Sequence, residues 1–171
     1  KFSNKHIPLY YSWRNDPEVA SNDQSGFIRP MGYEEVESWS ARMVEGLTFV
    51  AYDGEVPLGT CAFMNPDYRN RHAELAIVIG NKDYWSKGYG TEIMKKLLEW
   101  GFEGLNLNRL YLHVFSFNKR AIGLYEKMGF KEEGRLRAMI YRDGHYHDLI
   151  AYGMLYEEYL ALKTEKILKK I

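Results

Sequence analysis

The sequence predicts one α/β domain of the α+β kind, a mixed, mostly antiparallel central sheet with helices on both faces. Three observations lead there. The apolar run Leu75, Ala76, Ile77, Val78, Ile79 is followed by a two-glycine loop and then by an apolar stripe at helical spacing, which makes a strand–loop–helix unit. Turn signals at Asp53-Gly54 and at Arg142-Asp143-Gly144-His145 each separate two strand-like runs, so hairpins lie on both sides of that unit. The 171 residues suit one core, and no linker, repeat or low-complexity segment divides them, so 1–171 is read as one domain.

The elements follow in order. Apolar residues at helical spacing (Ile7, Tyr10, Tyr11) predict a helix over His6 to Trp13, broken at Asn15-Asp16-Pro17 because proline disfavours helix at the residue before it. Val36, Trp39 and Met43 form one stripe and predict a helix from Tyr33 to Glu45. Leu47 to Tyr52 and Val56 to Met64 make the first hairpin, with Gly59 as a bulge or a point of close approach. Ala73 to Gly80 is predicted as a strand buried on both faces. After the loop Trp85 to Gly90, a helix over Thr91 to Phe102 buries Ile93, Met94, Leu97, Leu98 and Phe102. Arg109 to Phe117 alternates as a strand, with Leu110, Leu112 and Val114 on one side and Tyr111, His113 and Phe115 on the other. Lys119 to Met128 is a helix capped by Gly129. Two short strands, Phe130 to Glu133 and Arg137 to Tyr141, precede the turn, and Tyr146 to Tyr156 returns as a long strand. The tail Glu157 to Ile171 is read as helical and then fraying, with 160–171 as the domain's C-terminal tail.

Composition excludes several classes. Lys plus Arg equals Asp plus Glu at 23 each, so the basic excess of a phosphate-neutralising nucleic-acid binder is missing. The single cysteine, Cys61, rules out an internal disulfide framework and fits a reducing cytosol, so a cytoplasmic location is expected. No apolar run reaches the roughly 20 residues that span a bilayer, and no signal peptide is visible. Partners are therefore expected to be small molecules or a protein N-terminus, not nucleic acid or membrane, with a homo-oligomer open. Cys61 has no His or Asp beside it in sequence to activate it, which leaves an acyl-cysteine route poorly supported. His145 and His147 share a strand face near Asp143 and Asp148, but no third ligand motif accompanies them, so no metal is expected.

The chemistry lies in the second half. Gly88 and Gly90 let the backbone approach a ligand closely and aim amide N–H groups at it. The helix that follows adds its positive N-terminal end, and Lys87 adds charge, so the loop can cradle a pyrophosphate. The spacing is neither a Walker A loop nor a dinucleotide fingerprint.

One strand later come Asn118-Lys119-Arg120-Ala121 and Tyr125-Glu126-Lys127-Met128-Gly129-Phe130. Together with Trp85-Ser86-Lys87-Gly88-Tyr89-Gly90 they resemble the GNAT superfamily of acyl-CoA-dependent N-acetyltransferases. Its phosphate loop reads Gln/Arg-x-x-Gly-x-Gly/Ala, and its next helix starts at an Asn and ends Tyr-x-Lys-x-Gly-Phe. Trp85 departs from that pattern at the loop's first position. Trp13 to Val19 and Arg142 to Asp148 resemble the branch holding ribosomal-protein N-terminal and spermidine acetyltransferases. The resemblance covers nearly the whole chain, with only Lys1-Phe2 standing for the family's first strand.

The resemblance implies a GNAT-like domain and direct transfer of an acetyl group from acetyl-CoA to a primary amine in a ternary complex, with no metal. It implies that Trp85, Ser86, Lys87, Gly88, Tyr89, Gly90 and Thr91 hold the pyrophosphate, and that backbone at Ile77, Val78 and Ile79 pairs with the pantetheine arm and polarises the carbonyl. Asn118, Lys119, Ala121, Tyr125 and Lys127 complete the cofactor contacts, and Tyr125 stands beside the sulfur as proton donor. Glu74, a carboxylate in an apolar strand, is read as the base, as an anchor for a cationic acceptor, or as a plain strand-edge charge. Glu34 and Glu35, with Glu37 and Asp23 nearby, could attract a polyamine or a protein N-terminus, or be a solvated helix face. A non-catalytic acyl-CoA-binding module is the alternative; the presence of both Tyr125 and Glu74 argues for an enzyme.

Overall fold

A computed structural model of the chain describes residues 1–23 and 28–168. Six strands hydrogen-bond in the order β1-β2-β3-β4-β6-β5, and the backbone forms two compact units, Lys1–Met64 with Ala76–Ile93, and Asn65–Leu75 with Met94–Ile171.

The first unit opens with α1 (Ile7–Arg14) and α2 (Pro17–Asp23). The predicted break falls where expected, at Asn15 and Asp16, but a helix restarts at once. Proline fits a first helical position, and the Asp16 carboxylate accepts from the N–H groups of Glu18 and Val19 at 2.9 and 3.2 Å. Next, α3 runs over the predicted Tyr33–Glu45. β1 (Leu47–Asp53) and β2 (Val56–Asp67) pair antiparallel through the Asp53-Gly54 turn, where Gly54 has φ +57. Phe2 N–H donates to the Thr48 carbonyl oxygen of β1 at 2.8 Å, but residues 1–3 form no strand. Phe2, Ile7, Tyr10, Trp13, Val19 and Val36 form this unit's apolar core. Gly59 is a point of close approach: a Cβ there would lie 2.0 Å from the Val78 carbonyl oxygen.

β3 (His72–Val78) corrects one expectation. Ala73 and Leu75 are buried, but Ala76 to Ile79 are only half-buried, so the apolar run does not mark a strand covered on both faces throughout. α4 (Tyr89–Glu99) begins two residues earlier than predicted, which places Gly90 inside the helix, and it loosens into a π turn over Trp100–Gly104.

In the second unit, β4 (Arg109–Phe115) runs parallel to β3, with Glu74 opposite Tyr111. Parallel neighbours need a crossover, and the connection through α4 supplies one. Leu110, Leu112 and Val114 are buried while Tyr111 and His113 are not, as the alternation predicts; Phe115 is buried as well. α5 (Lys119–Met128) has both predicted caps: Asn118 Oδ1 accepts from Ala121 N–H at 3.1 Å, and Gly129 adopts φ +93. The two short strands expected after it are one, β5 (Lys131–Arg142), paired to β6 (His145–Leu155) with irregularities after Glu132 and between Leu136 and Ile140. Ala138, at φ +54, takes up the second, and its N–H donates to Asp148 Oδ1 at 3.0 Å. α6 (Tyr156–Leu168) forms most of the predicted tail; residues 169–171 lie outside the described residues.

Gly129 gives a stability prediction. A Cβ there would meet Leu162 Cδ1 at 2.4 Å on a left-handed backbone. Gly129→Ala is expected to lower unfolding free energy by about 1–3 kcal/mol, read from the urea midpoint; an unchanged midpoint would show that the cap tolerates a side chain.

Candidate active site

The loop before α4 is shaped by two left-handed residues, Ser86 at φ +59 and Gly88 at φ +89. They turn the chain so that α4 opens at Tyr89, whose first N–H groups have no partner within the helix. A Cβ built on Gly88 meets no atom within 4 Å, so the space beside it is open. Thr91 and Glu92 N–H both donate to the Gly88 carbonyl oxygen, which sets the first turn. Tyr89 hydroxyl donates to Asp53 Oδ2 at 2.6 Å, and Lys87 Nζ lies 5.7 Å from the centre of the Tyr84 ring. Lys87 is exposed.

The Trp85 side chain has a partner within the protein. Its indole N–H donates to the Ile79 carbonyl oxygen at 2.7 Å, tying the loop back to the end of the preceding strand segment. The polar group of Trp85 and the carbonyl of Ile79 are thus engaged with each other.

In the second unit, Tyr125 is buried on α5, its ring 6.0 Å from Phe130 and 6.3 Å from Tyr152. Burial pushes its phenol up to about 12, so the hydroxyl stays protonated at neutral pH. Asn118 spends its side-chain oxygen on the α5 cap, while Lys119 and Lys127 are exposed and Ala121 is half-buried.

Glu74 is not a lone carboxylate. Its Oε1 accepts from His113 Nδ1 at 2.7 Å, with side-chain exposures of 19% for Glu74 and 37% for His113. Tyr111 is level with Glu74 in the ladder and edge-on to the His113 ring at 6.0 Å. Register settles which face they occupy. Glu74 is opposite Tyr111 in the parallel ladder, and on β6 Gly153 pairs with Tyr111, Ala151 with His113, and Tyr152 with Leu112. Tyr125 packs on Tyr152, so it lies on the Leu112 face, and the Glu74–His113 pair lies on the opposite one.

The acidic residues of the first unit are less free than their sequence implies. Glu35 makes a two-fold contact with Arg29 at 3.0 and 2.5 Å, which holds its carboxyl below the usual range. Asp23 pairs with Arg14 at 2.5 Å. Glu34 and Glu37 are exposed on α3.

Residues 1–131 match the model of the acetyltransferase (GNAT) domain. The chain belongs to the GNAT acetyltransferase family. Among curated relatives of this GNAT chain, the spermidine N(1)-acetyltransferase of Vibrio cholerae is 34% identical over 113 residues, 66% of this chain and 65% of the relative. The putative ribosomal N-acetyltransferase YdaF of Bacillus subtilis is 36% identical over 108 residues, 63% of this chain and 58% of the relative. The chain thus spans a little under two thirds of the length of these relatives. Among solved structures, the Vibrio cholerae spermidine N-acetyltransferase in complex with CoA and spermine superposes with a TM-score of 0.82 at 25% identity, covering 93% of this chain and 95% of that one. The six-stranded mixed sheet is the GNAT fold of that neighbour.

Sequence reasoning about this GNAT chain missed two features, the His113 partner of Glu74 and the Trp85 brace. The alternation sets His113 apart from Leu110, Leu112 and Val114, but its partner lies 39 residues away, and only the parallel register reveals it. No helix of the described residues is long and apolar enough to cross a membrane, and no group of three or more potential metal-ligating side chains occurs among them.

Proposed function

We propose that this chain is an acetyl-CoA-dependent N-acetyltransferase whose acceptor is a primary amine of a polyamine such as spermidine or spermine. What supports the acceptor is the likeness, over 93% of the chain, to a spermidine N-acetyltransferase bound to CoA and spermine. The open space beside Gly88 and the helix N-terminus that opens at Tyr89 fit the pyrophosphate of acetyl-CoA, as substrate.

In this reading Ser86 to Gly90 hold the pyrophosphate through backbone N–H groups with Thr91 beside them in the first turn, and Ile77, Val78 and Ile79 offer backbone to the pantetheine arm and the thioester carbonyl. Trp85 acts by bracing the loop, since its N–H is committed to Ile79. Asn118, Lys119, Ala121 and Lys127 are assigned to the cofactor side as lesser contacts. The amine nitrogen attacks the thioester carbon; the C–N bond forms and the C–S bond breaks. Tyr125 donates a hydrogen bond to the departing sulfur. Complete transfer from a phenol at about 12 to a thiolate near ~8.5 is uphill, so the hydroxyl stabilises the leaving group and solvent supplies its proton. Glu74 serves the acceptor side, and Glu34 is the first-turn carboxylate of α3 left to attract a polycation, since Glu35 is paired with Arg29.

A protein N-terminus is the second reading, favoured by the likeness to YdaF. Thiol release from acetyl-CoA, with mass analysis of the product, separates the two. Spermidine or spermine is expected to carry the acetyl group. Acetylation of an N-terminal peptide with none on polyamines would overturn the first reading in favour of the second, and no thiol release with either amine class would leave an acyl-CoA-binding module.

A further inference from the structure

We infer that His113 is the residue that accepts the proton shed by the attacking amine, and that Glu74 is a positioning residue which holds the His113 ring. The inference rests on the acetyltransferase reading above and assigns its proton acceptor.

The geometry separates the two roles. A carboxylate can only accept, so at 2.7 Å His113 Nδ1 carries the hydrogen and donates it to Glu74 Oε1. The neutral imidazole then has its lone pair on Nε2, turned away from Glu74. A carboxylate on one ring nitrogen fixes the tautomer and supports the imidazolium that forms when the other nitrogen is protonated. The free nitrogen belongs to the more accessible member: His113 is 37% exposed at the side chain against 19% for Glu74. Glu74's oxygen is already spent on the ring.

The groups facing His113 allow this. From β3 the facing group is Glu74, with His72 further along the same face beside Tyr111. On β4 the neighbours are Tyr111 and then Arg109, whose charge is paired with Glu133 of β5. On β6 the positions opposite are Ala151 and Gly153, which do not ionise, and β5 places Gly134 across from Ala151 and Lys131, ion-paired with Glu158, across from Gly153. Glu74 is therefore the one carboxylate in hydrogen-bond contact with the ring among the described residues.

The proton step balances. As the C–N bond forms, the nitrogen becomes acidic and its proton passes to His113 Nε2, giving an imidazolium held by Glu74. Collapse breaks the C–S bond, the sulfur takes a proton from solvent, and His113 returns its own to solvent.

Two measurements test the assignment. The first needs no substrate: ring nitrogen shifts of His113 in protein labelled at histidine nitrogen. The Nδ1–H tautomer is expected, and Glu74→Gln should lower the pH at which the ring titrates. A ring protonated at Nε2 when neutral, or a titration indifferent to Glu74→Gln, overturns the pairing. The second is the pH profile of turnover with spermidine at saturating acetyl-CoA. His113→Gln should reduce turnover at neutral pH by about 10²-fold or more and remove the fall in rate on the acid side, with acetyl-CoA binding retained. Glu74→Gln should keep that fall but move it to lower pH. If His113→Gln keeps the unaltered profile while Glu74→Gln abolishes it, Glu74 is the base and this assignment is wrong. Failure of the unaltered chain to release thiol with any amine overturns the acetyltransferase reading itself, an outcome distinct from turnover that ignores His113.

Discussion

Gly88→Val is expected to abolish the stabilisation that acetyl-CoA confers on the fold. Ligand at ~100 times its dissociation constant adds about 2.7 kcal/mol by mass action, a rise of roughly 5–10 °C in melting temperature for a chain of this size. Gly88 sits at φ +89 with nothing within 4 Å of a built Cβ, so valine there meets no protein atom and acts in two other ways. Its branched side chain disfavours the left-handed backbone, which costs about 1–3 kcal/mol or reshapes the loop. It also fills the open space assigned to the pyrophosphate. The unligated variant should therefore melt somewhat lower than the parent, and millimolar acetyl-CoA should no longer raise it. Acetyl-pantetheine, which lacks the pyrophosphate, should shift the parent less than acetyl-CoA does. A full shift retained in Gly88→Val would move the phosphate site elsewhere, and no shift in the parent would remove acetyl-CoA as the substrate.

Tyr125→Phe should lower turnover by about 10²–10³-fold if the hydroxyl is the principal hydrogen-bond donor to the charge developing on the sulfur, with the acetyl-CoA melting shift unchanged. The ring contacts with Phe130 and Tyr152 survive the substitution, so the fold should lose little. The pH dependence carries its own sign. Burial raises the phenol to about 12, so the donor keeps its hydrogen throughout pH 6–9 and titrates only well above that window. Parent and variant profiles should accordingly run parallel on the alkaline side below about pH 10. A phenol titrating near its ordinary ~10 would instead make the parent fall toward the variant there. Full turnover in the variant would leave Tyr125 a core residue.

Local chemistry explains what was legible in the sequence. The ends of α5 follow from Asn118 and Gly129, groups that satisfy backbone within four residues of themselves, so their effect is written in the neighbouring sequence. The inner and outer sides of β4 follow from the period of two at Leu110, Leu112 and Val114. What escaped depends on chain segments far apart or on competing local effects. His113 meets Glu74 because β3 and β4 run parallel with Glu74 level with Tyr111, and no spacing rule encodes that register. Trp85 looked like a departure at a ligand position because its partner, the Ile79 carbonyl, is main chain and carries no residue signature. Glu35 looked available because first-turn acids are common on helices; Arg29, six residues earlier, neutralises it. The helix at Pro17–Asp23 was missed because proline both ends one helix and begins the next, and the Asp16 cap decides between them.

The alternation along β4 has a consequence for how such a chain changes over generations. Leu110, Leu112 and Val114 face the core, where truncating a leucine to alanine costs about 2–5 kcal/mol, a large share of a domain's stability. Tyr111 and His113 interleave with them but point to the half-open side, where substitutions away from special contacts cost about 0.5 kcal/mol or less. Foldedness is thus carried by alternate letters of one seven-residue word, joined at its end by Phe115. A lineage can rewrite Tyr111 at little cost in stability, while Leu110, Leu112 and Val114 keep the protein intact.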